Sequence, residues 1–430
     1  MCPQRSGLMA VLSLPVHRLQ VFFDGQRWRR LAKETHWVSW GLALFWAGFI
    51  FAWSTRVHRD SLYFLVFLPF LMVLGRQQFQ WLLSSRVIQC LGLFLGYLLL
   101  SVSWSPDASW ALFGSKLRYG LIIFAAVLAT AYMVARDEQW AERLFWFLGL
   151  AACIVFFYSV YHYYQAHPFP AARLSNLVYY HTNPNPDAVG FLLAFTFALC
   201  FVLSDRSPRW RVVAAVPLMC AGAFLLLAQS RGLILGAALV SVFLLLRLRY
   251  WKTLALFLVV ASAALVAVET VEWGGRGLIE RADAQRIGIW QVALARIAEA
   301  PWFGAGLASD TSITYGDRIH ISPHNLWLMT LMAGGVLGGA LLVALYGLAL
   351  RIAYWDRDDR SPGAILAVAL LVAGLVPLGV DGHQIITRIH PHIWVALWLP
   401  MGALAGRELL QRQRGQTEGP GARVSRSRSG

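Results

Sequence analysis

Charge is what this sequence has little of. Asp, Glu, Lys and Arg make up 14% of its 430 residues, against about 25% in an ordinary soluble domain. Cysteine is equally uninformative as a framework. Cys2, Cys90, Cys153, Cys200 and Cys220 include no pair in an exposed loop and no metal-ligand spacing, and the last four sit in apolar runs. A disulfide scaffold and a structural zinc site are both excluded. Cys2 has no apolar segment before it, so it does not read as a lipoprotein signal. No Walker loop, dinucleotide fingerprint or His/Cys/carboxylate cluster stands out, which argues against an ATP-driven pump. The segments on the outer side hold no D-x-D pair, so a metal-dependent sugar transferase has no support and no metal or cofactor is expected. The net charge is +15, yet no basic aromatic module of the kind that reads RNA or DNA is present, and nucleic acid is not an expected partner.

What the sequence has in abundance is apolar side chain, 58% of all residues, with 13% aromatics and 19 tryptophans. A protein core of this size cannot hide so much of it, so lipid must serve as the solvent. Tryptophan and tyrosine then belong at the two membrane–water interfaces. The expected fold is an all-α polytopic membrane protein with about twelve transmembrane helices. Their cores fall near 37–54, 61–75, 87–104, 117–135, 143–164, 188–204, 211–229, 232–246, 253–268, 324–350, 362–380 and 392–406. The stretch 211–246 is too long for one crossing and is broken by Gln229-Ser230-Arg231-Gly232, which predicts a tight hairpin.

Placing both termini in the cytoplasm puts 25 of the 37 Lys and Arg residues on the inner side. The reverse orientation would violate the positive-inside rule. The chain thus divides into a basic cytoplasmic segment 1–36, spans one to nine over 37–268, a long periplasmic loop 269–323, spans ten to twelve over 324–406, and a disordered basic tail 407–430. Leu8–Val16 is too short for a span and is followed by a basic run with no small-residue cleavage site, so it reads as interfacial rather than as a signal peptide. Within the long loop, Trp290, Ala293 and Ile297 recur at helical spacing over Arg281–Glu299, and Pro301 with Gly304 and Gly306 ends that helix. Such a loop is structured and lies over the bundle. A bacterial inner membrane is the expected location, and anionic lipid an expected contact of the basic inner loops.

Polar residues with chemical potential crowd on the outer side. Arg231 sits in the hairpin, where an arginine is costly unless it faces a polar cavity; snorkelling at a helix end is the alternative. Arg286 heads the apolar stripe of the loop helix, with a surface pairing to Asp283 or Glu280 as the plainer reading. Arg173 precedes the turn-rich Asn183-Pro184-Asn185-Pro186, and a simple loop charge would look the same. His324 follows Ser322-Pro323 and opens span ten. At a helix N-terminus the dipole disfavours imidazolium, leaving the ring able to accept a proton; a structural interface histidine is the competing view. Together these residues suggest an outward pocket for a phosphorylated lipid, since guanidinium forks match phosphate oxygens.

This pattern resembles the O-antigen ligase and Wzy-type polymerase superfamily. The resemblance rests on four pieces within residues 170–340. They are Arg173 followed by Asn183-Pro184-Asn185; Ser230-Arg231-Gly232-Leu233-Ile234-Leu235; Arg286-x3-Trp290-x2-Ala293 running into Ile297, Pro301, Gly304 and Gly306; and His324-Asn325-x2-Leu328 followed by Gly334-Gly335 and Gly338-Gly339. The first five spans match by hydropathy alone. Length and span count are more like the ligase branch. The resemblance implies a GT-C-like glycosyltransferase bundle. It also implies en bloc transfer of a glycan from undecaprenyl diphosphate to a sugar hydroxyl of lipid A–core, without metal and with inversion. His324 would be the base, Arg231 and Arg286 would hold the diphosphate with Arg173 as a third candidate, and Asn325 and Trp290 would support them. Asp381-Gly382-His383 is a further polar contact in the last outer loop. The rivals are a polymerase using the same donor, a lipid-linked glycan transporter with polar residues deep in its spans, and a scaffold without chemistry.

Overall fold

The computed structural model describes residues 36–180, 183–204, 207–270, 286–382 and 384–417. The expected basic N-terminal segment up to residue 35, the loop residues Glu280, Arg281 and Asp283, His383 and the tail 418–430 lie outside the described residues.

In chain order the elements are α1 (Trp37–Phe51), α2 (Thr55–Val73), α3 (Arg76–Leu83), α4 (Arg86–Trp104), α5 (Trp110–Arg136), α6 (Trp140–Ala166), α7 (Pro184–Leu203), α8 (Pro208–Leu227), α9 (Arg231–Arg247), α10 (Trp251–Thr270), α11 (Arg286–Glu299), a hairpin of β1 (Ile313–Tyr315) and β2 (Arg318–His320), α12 (Leu326–Trp355), α13 (Pro362–Asp381) and α14 (391–417). Prolines open α7, α8, α13 and α14, where a missing N–H costs nothing. Ser85, Ser109, Asn183 and Asn325 cap α4, α5, α7 and α12 with side-chain oxygens.

A helix stands at each of the twelve expected positions. Eight of the described helices (α4 to α8 and α12 to α14) are long and apolar enough to cross a membrane. A ninth crossing results if α2 and α3, bent by 104° at their junction, count as one. α1 and residues 251–263 of α10 are shorter apolar helices, and α9 has 17 residues. The expected hairpin is present: α8 ends at Leu227 and α9 begins at Arg231. Two boundaries and one added element differ from expectation. α12 starts at Leu326 rather than at His324, because the Asn325 side chain supplies its cap. α14 continues to residue 417 instead of ending near 406, because Arg407 and Glu408 are buried and ion-paired. The long loop holds a short β-hairpin, Ile313 pairing with His320, too brief to register in hydropathy.

Three helices form the centre, with 83% of the apolar window of α7, 72% of α13 and 94% of α14 buried inside the protein. α7 packs on α1, α6, α8, α9 and α13, and α14 packs on α5 and α13. Gly402 and Gly406 of α14 face Thr130 and Val134 of α5 at distances no Cβ would tolerate, the small-residue packing that membrane helices use in place of a hydrophobic drive.

α12 is interrupted at Gly335, whose φ of 59° suits only glycine. A broken helix in hydrocarbon would strand backbone groups at several kcal/mol each. The loop after α11 prevents this: Ala305 and Gly306 N–H donate to Met332 and Ala333 carbonyls at 2.8 and 3.0 Å, and Val336 N–H donates to Pro301 at 2.7 Å. Tyr97 of α4 adds its hydroxyl to Gly334 O at 2.7 Å. Gly304 of the third sequence piece and Gly335 of the fourth face each other there, a Cβ on either coming within 2.6 Å of the other's N, so this pair docks the long loop onto α12.

The two ends of the bundle carry different polar clusters. One end collects the starts of α7, α9, α11, α12 and α14 and the finish of α13. At the other, Arg407 pairs with Asp356 at 2.6 Å and Asp359 at 2.5 Å. There too, Glu408 accepts from Ser85 Oγ at 2.6 Å and from the Arg86 and Val87 N–H groups, so a carboxylate caps the positive end of α4.

Candidate active site

The first cluster is organised by the last turn of α13, Val380-Asp381. Asp381 keeps 15% of its side chain exposed. His324 Nδ1 lies 3.3 Å from its Oδ1, and His392 Nε2 lies 3.6 Å from its Oδ2. Asn185 donates from Nδ2 to Oδ2 at 3.1 Å.

Each partner is placed by its own stretch of chain. His324 has φ 52°, a left-handed conformation unusual for a residue with a Cβ. It is held there from both sides. Trp290 Nε1–H of α11 donates to Pro323 O at 3.0 Å, and Asn325 Oδ1 accepts from Trp327 and Leu328 N–H at 2.9 and 3.2 Å. Gly382 lets α13 abut the start of α12, since a Cβ there would come within 2.5 Å of Leu326 N. Such strain, about 1–2 kcal/mol, persists only where surroundings over-determine it, and it gathers at functional sites.

Asn185 sits in the first turn of α7, its N–H donating to Asn183 Oδ1 at 3.0 Å. Its other face is taken by Arg173, whose Nη2 donates to Asn185 Oδ1 at 2.6 Å. Arg173 also donates from Nε to Ala228 O at 3.0 Å, and Leu174 N–H to Leu227 O at 2.9 Å. The Arg173 segment is thus stitched to the hairpin that presents Arg231. Gln229 in that hairpin, φ 49°, donates to Pro170 and Ala171 carbonyls at 3.3 Å. Arg231 is the first residue of α9, and its neighbour Gly232 lies against Val380, where a Cβ would meet Cγ2 at 2.7 Å. Arg286, the first residue of α11, donates to Val380 O. Ile289 and Ala293 behind it pack with Ile313 and Met332, seating α11 on α12.

All four sequence-predicted groups, His324, Arg173, Arg231 and Arg286, therefore come from elements that meet at Val380–Asp381, while Asn325 and Trp290 hold the His324 segment. The arrangement brings the first turns of five helices (α7, α9, α11, α12 and α14) to one spot. Helix N-termini carry partial positive charge and unpaired N–H groups. Together with the Arg173 and Arg286 guanidiniums, which donate to Asn185 Oδ1 and Val380 O, they make a site suited to a multiply charged anion. Among the described residues no group of three or more His, Cys, Asp or Glu is placed to hold a metal ion.

Sequence reasoning missed two members and undervalued a third. Asp381 is the hub rather than a peripheral contact. His392, 1% exposed and stacked on His390 at 5.5 Å, was passed over; its Pro391 opens α14 much as Pro323 precedes His324, the only signal it offered. Lys116 of α5 donates to Gln384 Oε1 at 3.0 Å and steadies the segment after Asp381.

Residues 214–343, containing Arg231, Arg286 and His324, match the family model described as O-Antigen ligase. The chain is also 28% identical to an O-antigen ligase of Pseudomonas aeruginosa over 406 residues, covering 91% of this chain and 96% of that protein. The kinship with O-antigen ligases expected from the sequence is borne out by both.

Proposed function

We propose, from that kinship and from the site at Asp381, that the chain is a membrane glycan ligase. It moves a glycan en bloc from undecaprenyl diphosphate to a sugar hydroxyl of lipid A–core, at the periplasmic face of the inner membrane. In this reading the shorter helices also cross, giving twelve spans of a GT-C-like bundle with both termini in the cytoplasm. The observation that carries the proposal is the convergence of His324, the three arginine-bearing segments and five helix N-termini on the end of α13.

The mechanism follows from charge and geometry. Arg231, Arg286 and Arg173 bind the diphosphate of the donor and stabilise the charge that grows on it as the glycosyl bond breaks. Asp381 faces His324 Nδ1 at 3.3 Å. A proton held on Nδ1 by the carboxylate leaves Nε2 to take the proton of the acceptor hydroxyl. The hydroxyl oxygen attacks the anomeric carbon from the side opposite the leaving group, the configuration inverts, and undecaprenyl diphosphate departs. No metal is needed, because fixed guanidiniums do the work of a divalent ion. α11, docked over α12, shields the reacting atoms from water.

Purified protein in EDTA-containing buffer, supplied with undecaprenyl diphosphate-linked glycan and lipid A–core, should shift the acceptor on a gel. Arg286→Ala should slow this by about 10²-fold or more while inserting normally. Transfer by Arg286→Ala at the wild-type rate would remove the diphosphate role. Ladders on the lipid-linked glycan with no change in lipid A–core would identify a polymerase instead.

A further inference from the structure

The end of the bundle opposite Asp381 holds a second concentration of arginine, and it is built as a cavity. Residues Arg247, Leu248, Arg249, Arg357, Asp358 and Arg360 line a space of about 390 Å³, within the range that accommodates small ligands. It lies between the end of α9 and the turn joining α12 to α13. The 17 residues of α9 separate Arg231 from Arg247, about 25 Å at the rise of an α-helix, so this cavity is no extension of the site at Asp381.

Its charge is unbalanced. Four guanidiniums face one lining carboxylate, Asp358, which pairs with Arg357 at 3.5 Å. The other acids nearby are committed elsewhere: Asp356 to Arg407 at 2.6 Å, and Asp359 to Arg407 at 2.5 Å and Arg414 at 3.6 Å. Arg247 is fixed by donation from Nη2 to Asp356 O at 2.8 Å. Arg249, held left-handed at φ 60°, and Arg360 have no ion-pair partner among the described residues. Arginines gathered around a hollow at this density repel one another unless an anion sits between them.

The surroundings say what kind of anion. The helices that rise from the cavity expose Leu246, Leu350, Tyr354, Trp355 and Trp251. Arg357 stacks on Tyr354 and Arg351 on Trp355, each at 4.3 Å. Exposed tryptophan and tyrosine backed by aliphatic side chains mark the headgroup level of a bilayer. A hollow beside such side chains fits a phosphate whose ester carries acyl chains better than a free ion.

We propose that this cavity binds the phosphate of an anionic phospholipid of the membrane leaflet on the side away from Asp381. The guanidiniums hold the phosphate oxygens, Tyr354 and Trp355 flank the glycerol, and the acyl chains run along Leu246 and Leu350. The bound lipid ties the α9 end to the α12–α13 turn.

The test uses full-length protein in a zwitterionic detergent, titrated with phosphatidylglycerol, phosphatidylcholine or inorganic phosphate while the thermal unfolding midpoint is followed. Phosphatidylglycerol should raise the midpoint of the wild type and phosphatidylcholine should not. In R249Q/R360Q the concentration giving half the shift should rise at least about tenfold, whereas Arg209→Gln, at the same end but outside the cavity, should behave as wild type. Equal shifts with phosphatidylcholine, or an unchanged titration in the double variant, would overturn the proposal. Inorganic phosphate matching phosphatidylglycerol at equal concentration would overturn the lipid assignment. Should the double variant fail to fold, Arg360→Gln and Arg249→Gln singly, with native mass spectrometry counting retained phosphatidylglycerol, give the same decision.

Discussion

Two polar clusters lie at opposite ends of the same buried helices, and they are finished differently. Around Arg407 the contacts are short and saturated: 2.6 Å to Asp356, 2.5 Å to Asp359, with Arg407 and Asp356 side chains 5% and 4% exposed. Around Asp381 the contacts are longer, 3.3 Å to His324 and 3.6 Å to His392, and His324 keeps 26% of its side chain open. A closed network holds a fold together and has nothing left to offer a ligand. An open one, with a strained histidine and an excess of guanidinium, is arranged for something that arrives. The contrast separates structural from chemical charge by how far the groups are satisfied as well as by how deeply they are buried.

The comparison can be broken by removing one member of each cluster. Arg407→Ala strands two carboxylates in a buried setting, a loss of about 3–5 kcal/mol. Thermal unfolding should show a large drop in midpoint, with transfer per folded molecule close to wild type; an unchanged midpoint would mean the network is not structural. Asp381→Asn should do the reverse. It keeps shape and a partner for Asn185 but removes the charge that orients His324, so transfer should fall by about 10–100-fold with the midpoint little moved. Unaltered transfer rates in that variant would demote Asp381 to packing.

A smaller effect comes from acid. Burial alone would raise the carboxyl of Asp359, but hydrogen bonds from Ser361 and the Arg407 guanidinium outweigh it and hold the carboxyl at about 2. A depressed folded-state value stabilises fully above the unfolded value near 4 and fades as pH falls toward 2. The wild type should lose on the order of 2 kcal/mol across that window, and Asp359→Asn should lack that portion of the decline. Identical pH–midpoint curves for the two proteins would contradict this.

How much of this was legible in the sequence follows from the range of the forces involved. Apolar runs sized to a bilayer report on solvent, so the helices and the Gln229–Gly232 hairpin could be read directly. Arg286 at the head of an apolar stripe and His324 after Pro323 carry local signals, and both fell in the site. Asp381 and His392 are in the site too but carry no comparable local signal, because their meaning lies in contacts across the chain: Asn185 and Asp381 are 196 residues apart. The same holds for Glu408, buried by partners 321 to 323 residues away, which made a core residue look like tail. The break at Gly335 was visible as a glycine pair, but its purpose, receiving the backbone of 301–306, belongs to the fold.

The most direct test of the account is the reconstituted transfer from undecaprenyl diphosphate-linked glycan to lipid A–core, with His324→Ala beside the wild type. The account predicts a shifted acceptor with the wild type and a rate lower by about 10²–10⁴-fold in the variant. Equal transfer by both would take His324 out of the chemistry, and with it the role assigned to Asp381.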